Sequence, residues 1–220
     1  MSLCATNLAW GDGDENHTAG QSIELIPNQW ASFCPNVNIQ IPIRSESFPI
    51  SVCVANFYQL NDAYLCAHEL NNEQSIVVAS GKGLLIRLTE GNESRWVDFV
   101  EAGNNETPIS TDDISILAGT VEPILAGSLT NEGMTSVFAL RKNTNTFALV
   151  NDNVTIPAFK AYFVIDHIQA PSIRIVDESE ITTVLENCEE EAAVTKIVRG
   201  GQLFIVRDGV TYDLMGRTIR

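Results

Sequence analysis

"NVTIPAFKAYFVI" runs from Asn153 to Ile165, and the chain has already carried something close to it at "SIVVASGKGLLIRL", from Ser75 to Leu88. Shifted by 78 residues, Ile76, Val78, Leu84, Leu85 and Ile86 fall on Val154, Ile156, Tyr162, Phe163 and Val164, with Lys82 on Lys160 and Gly83 on Ala161. Each copy reads as a strand, a tight turn, a Lys, a small residue and a second apolar strand. The Gly-Lys pair of the first copy invites a phosphate-loop reading. Such a loop needs Ser or Thr directly after the Lys and an earlier Gly, whereas Gly83 follows Lys82 and an apolar run precedes the turn. The two copies are therefore one structural unit written twice, as expected when two related β halves close on one core. A Lys at a strand-edge turn is ordinarily solvated and blocks edge pairing, and that is the expectation for Lys82 and Lys160. Upstream, "AYLCAHELNNE" and "SVFALRKNTNT" look like a looser match of the same kind.

The rest of the chain agrees with this reading. From Ser22 onward, short runs rich in β-branched and aromatic residues ("SIELI", "VNIQIPI", "ISVCVANFY", "RWVDFV", "SIRIV") are separated by Gly, Asn, Asp or Pro at intervals near ten residues. That is the pattern of a sandwich or barrel. No sustained helical period precedes Asp177. The predicted fold is all-β: a β-sandwich or barrel of two similar halves over residues 22–176, followed by a small C-terminal β-hairpin over 196–220. The polar "GDGDENHTAGQ" makes residues 1–21 a flexible leader, and the acidic "DESEITTVLENCEEEAA" makes 177–195 a charged spacer. In the tail, "QLFIV" and "VTYDL" are strands joined at Asp208-Gly209.

The 220 residues, 45% of them hydrophobic, suffice for a sizeable core without metal or disulfide support. A net charge of −15 with thirteen scattered Lys and Arg disfavours nucleic acid and anionic membrane surfaces. No apolar run is long enough for a membrane helix, and the first residues do not read as a signal peptide. Cys4, Cys34, Cys53, Cys66 and Cys188 show neither metal-ligand spacing nor an even count. A two-residue turn at Asn61-Asp62 would set Cys53 opposite Leu70, which argues against a Cys53–Cys66 bridge. Asp12 and Asp14 alternate as calcium ligands do, but the rest of such a loop is missing, so no metal and no cofactor are expected.

Neither does catalysis announce itself. His17 lies in the leader, His68 within a strand and His167 after a strand end, where Asp166 and His167 would point to opposite faces. No nucleophile elbow, metalloprotease helix or nucleotide fingerprint occurs. For carbohydrate binding the candidates are the aromatic side chains Trp30, Trp96 and Tyr58. Trp96 is the best of them because Arg95 and Asp98 flank it beside a Gly-Asn turn. The competing expectation, and the favoured one, is that its strand buries Trp96 in the core.

The order "QWASFCPNVNIQIP", "SIVVASGKGLLIRL", "ISILAGTVEPIL", "SVFALRKNTNTFALVNDNVTIPAFKAYFVI" resembles a module found near the C-terminus of secreted and cell-surface proteins of Bacteroidales, across roughly Ser22 to Val176. The first turn departs from it, with "VASGKG" where "IPANTG" is more usual. The end of the chain, "KIVRGGQLFIVRDGVTYDLMGRTIR", resembles type IX sorting tails, with Tyr212, Asp213 and Gly216 carrying the terminal pattern. The resemblance implies an extracellular or outer-membrane surface location, export machinery as a partner of the tail, and a non-catalytic structural or interaction role. The alternatives are a carbohydrate-binding module or an accessory domain of a larger surface hydrolase, with a surface glycan or protein as ligand.

Overall fold

The computed structural model describes residues 17–59, 62–130, 135–142, 144–166, 168, 170–178, 180, 195–199, 202–207, 210–212 and 218–219. The chain divides into two compact units, Met1–Val176 and Asp177–Arg220. In the first, the strands are β1 (Ser22–Leu25), β2 (Trp30–Phe33), β3 (Ile39–Ile41), β4 (Ile50–Gln59), β5 (Ala63–Glu69), β6 (Ile76–Val78), β7 (Leu84–Leu88), β8 (Arg95–Asp98) and β9 (Val100–Glu101). They continue with β10 (Ala118–Thr120), β11 (Ile124–Leu125), β12 (Thr135–Leu140), β13 (Thr146–Leu149), β14 (Thr155–Ile156), β15 (Lys160–Asp166) and β16 (Ser172–Asp177). The all-β expectation is met.

Nine of these strands form one sheet in the order β10-β15-β12-β13-β16-β5-β4-β7-β2. It reads the same from either end. Strands β2, β7, β4 and β5 run inward from one edge, β10, β15, β12 and β13 from the other, and β16 joins the two sets. The registers repeat as well. Phe33 lies opposite Leu84 as Ala118 lies opposite Tyr162, and Val52 opposite Ile86 as Val137 opposite Val164. The side pairs follow, with Ile39 opposite Val78 and Ile124 opposite Ile156.

Even the turns that lead into β7 and β15 repeat. Gly81 N–H donates to the Pro35 carbonyl at 2.8 Å, and Phe159 N–H to the Thr120 carbonyl at 2.7 Å. Gly81 (φ 80°) and Phe159 (φ 61°) are both left-handed, a conformation natural to Gly and strained for Phe. The looser match requires correction: "SVFALRKNTNT" supplies β12 and so corresponds to β4, "ISVCVANFYQ", whereas "AYLCAHE" is β5 and corresponds to β13.

The sheet curls until its edges nearly meet. Cys34 N–H, just past β2, donates to the Phe159 carbonyl at 3.1 Å, and Lys82 bridges Ala118 across the same seam. Gly83 and Gly119 allow that approach. A Cβ on Gly83 would strike the Ala118 carbonyl, and one on Gly119 would lie 2.5 Å from Cys34 Sγ. Inside the curl, Phe163 stacks on Phe138 with centroids 5.0 Å apart and tilts against Phe147, above Leu85, Leu65 and Ile173. Outside the first half, β1–β8 and β3–β6–β9 cover Phe33, Val52, Leu84 and Ile86. Outside the second, β11–β14 covers Val137 and Tyr162. Two covered faces explain why "LLIRL" in β7 runs apolar without alternating.

Two expectations move. Residues 17–21 of the expected leader are tied to the module: Phe99 N–H donates to Gln21 O at 2.9 Å, Asn36 Nδ2 to Ala19 O at 3.0 Å, and Gly20 is buried. Residues 1–16 lie outside the described residues. The loop after β4 is longer than two residues, since Gln59 pairs with Ala63, so Cys53 faces Glu69 rather than Leu70. Cys34, Cys53 and Cys66 are buried and stand in no disulfide, and Cys4 and Cys188 are outside the described residues.

The second unit contains a four-stranded antiparallel sheet of β17 (Thr195–Arg199), β18 (Gln202–Arg207), β19 (Val210–Tyr212) and β20 (Thr218–Ile219). The expected hairpin is its inner pair, with Arg207 opposite Val210. Of the sorting-like residues, Tyr212 lies on β19, paired with Ile205 and Thr218, while Asp213 and Gly216 fall outside the described residues.

Candidate functional site

The site forms on the ribbon of β1 and β8. Alternation buries Ile23, Leu25 and Val97 on its inner face. The register sets Ser22 opposite Asp98 and Glu24 opposite Trp96, so these four share the outer face. Arg95, on the other side of the alternation, is exposed and does not line the cleft. Trp96 is half-buried, and this corrects the favoured expectation of a core tryptophan. Period two gives the core position on this strand to Val97 and leaves Trp96 facing outward.

His17 fixes the ring. Its imidazole stacks on the Trp96 indole, centroids 4.1 Å apart and planes 7° from parallel. His17 Nδ1 is 2.9 Å from Asp98 Oδ1, which also accepts from the Ser22 hydroxyl. Asp98 is thus a positioning group: it holds His17, and His17 holds Trp96.

Beyond Trp96 opens a cleft of about 570 Å³. Glu24 and Ile26 stand on the ribbon side, and Lys160, Arg141, Lys142 and Pro157 on the side of the second half. Trp96 and Lys160 also border an adjoining cavity of about 300 Å³ whose wall includes His17 and Phe159. Trp30 reaches the first cleft but is 6% exposed, and the Arg87 guanidinium lies 4.4 Å from its ring centroid. The third aromatic candidate, Tyr58, stacks on Tyr64 near the β4–β5 turn and lines neither cavity.

The two equivalent lysines behave differently. Lys82 forms an ion pair with Asp112. Lys160 does not fit the expectation of a solvated edge lysine: it is half-buried, no partner for its ammonium occurs among the described residues, and burial holds its pKa below the usual lysine range. Nearby, burial pushes the Cys34 thiol up to about 11 against a hydrogen bond from the Gly81 backbone, and raises Tyr162, with Cys34 adding to the effect. Nothing in the composition distinguished Lys160 from Lys82. The difference arises because β1 and β8 reach across to one copy of the turn, while Asp112 stands beside the other.

Among the described residues no group of three His, Cys, Asp or Glu side chains is placed to hold a metal ion, and no helix is long and apolar enough to cross a membrane. His68 lies on β5 opposite Val54, and His167 is outside the described residues. Compared with known protein families, curated proteins and solved structures, the chain finds no match.

Proposed function

We propose that this chain is a non-catalytic interaction module of a bacterial secreted or cell-surface protein, and that its recognition face is the cleft beside Trp96. The observation that carries the reading is the placement of Trp96: a large aromatic ring clamped by His17 and Asp98 at the edge of an open cleft instead of packed into a core. A rigid aromatic platform beside polar groups suits the apolar face of a sugar ring, and it recognises a ligand at low entropic cost because the ring is already held. Carbohydrate binding is therefore the form of interaction favoured here over a purely structural role.

Titration of the full chain with a panel of polysaccharides, read by tryptophan fluorescence, tests this. A saturable change that Trp96→Ala abolishes supports the reading. A panel that leaves the emission unchanged, or a change that survives Trp96→Ala, contradicts it. The surface location rests on the resemblance of the tail, and its test is separate. Deleting residues 192–220 in the native host should leave the protein inside the cell, and normal display of the truncated form would remove the sorting role.

A further inference from the structure

The internal duplication supplies its own control. Lys82 and Lys160 occupy the same place in the two halves, each following a left-handed turn residue whose N–H donates to a backbone carbonyl of the facing edge, Pro35 just past β2 or Thr120 on β10. Lys82 is neutralised by Asp112. Lys160 has no carboxylate partner among the described residues and opens on both cavities that Trp96 borders. A half-buried ammonium without a counter-ion is unfavourable for folding, and a bound anion removes that cost. Arg141 and Lys142 are exposed on the same side of the cleft, and Glu24 is the single carboxylate lining it among the described residues. In a chain of net charge −15, a concentration of three cations at one wall runs against the overall balance.

Resting on the binding role proposed above, we infer that the ligand is an acidic saccharide, its ring against Trp96 and its anionic substituent, carboxylate or sulfate, on the Lys160 ammonium. The two contacts divide the work. The indole takes the apolar ring face, which neutral and acidic sugars share. The ammonium forms a charge-assisted hydrogen bond that only the acidic sugar offers, so it sets selectivity.

The test compares three probes on the full chain by tryptophan fluorescence and calorimetry: an oligogalacturonide, its carboxyl-reduced neutral counterpart, and a sulfated galactose oligomer. At least one acidic probe should bind ten-fold or more tightly than the neutral one. Lys160→Met should erase that preference, Lys160→Arg should keep it, and Lys82→Met should leave it unchanged. The stronger acidic arm identifies the substituent. Equal affinity for acidic and neutral probes, or an acid preference that survives in Lys160→Met, overturns the inference while the Trp96 platform stands. If no probe perturbs Trp96, the platform reading fails and this inference fails with it. Unfolding midpoints of all variants, with Lys160→Arg as the charge-retaining form, separate lost binding from lost folding.

Discussion

Gly83 and Ala161 are the same residue of two halves, and they face one another across the seam of the sheet: a Cβ placed on Gly83 would lie 3.1 Å from the Cβ of Ala161. The approach is closer still to the backbone of β10, because the same Cβ would collide with the Ala118 carbonyl oxygen. The seam admits one methyl group and not two.

Gly83→Ala is therefore expected to cost about 1 to 3 kcal/mol, since the obstacle is backbone and cannot rotate away. Gly81→Ala provides the comparison. Nothing lies within 4 Å of its added Cβ, so only the left-handed φ of 80° is penalised, at about 1 kcal/mol. Urea unfolding of both variants checks the pair. A Gly83→Ala protein as stable as wild type would mean that the two edges of the sheet do not close.

The tryptophans should separate by role. Trp30 is 6% exposed and packs in the inner core beneath Arg87, so Trp30→Ala should cost about 3 to 5 kcal/mol. Trp96→Ala removes a half-buried ring that touches His17, and the expected loss is about 1 kcal/mol. Denaturant midpoints of the two variants decide it. Equal losses would return Trp96 to the core.

Lys160 should be a stability liability in the unliganded protein. Replacing a half-buried, unpaired ammonium by an apolar side chain of similar length is expected to raise stability by about 1 kcal/mol at neutral pH. The sign with pH follows from the depressed pKa. The folded state releases this proton at lower pH than the unfolded chain, so the penalty is full below the folded pKa. It disappears as pH rises towards 10.5, the ordinary lysine value. The advantage of Lys160→Met over wild type should therefore shrink through that window, as measured by thermal unfolding from pH 7 to 10. An advantage that grows with pH would show that burial does not depress Lys160.

The duplication was legible because a strand–turn–strand unit spaces its apolar positions rigidly: Ile76, Val78, Leu84 and Ile86 could be laid on Val154, Ile156, Tyr162 and Val164 without a gap. Earlier strands matched poorly because the first β4–β5 hairpin is longer than its counterpart β12–β13, and one fixed shift cannot span both. Trp96 stands out as a candidate from its neighbours, but its exposure depends on which face of β8 meets the core, and that is fixed by pairing with β1, over seventy residues away. His17 reads as part of a leader because its partners, Trp96 and Asp98, are distant in sequence. The contrast between Lys82 and Lys160 had no local signal at all, since what differs is the surroundings that the fold brings to each.

That the cleft beside Trp96 is a recognition face can be read from the indole N–H resonances of the three tryptophans, assigned by single substitutions and followed as the oligogalacturonide and, separately, the sulfated galactose oligomer are added to the full chain. The expected result is a saturable shift of the Trp96 resonance, a smaller one at Trp30 where it borders the cleft, and loss of both in Trp96→Ala. A Trp96 resonance unmoved by either acidic saccharide at saturation, or a shift that persists at Trp30 once Trp96 is removed, would contradict it.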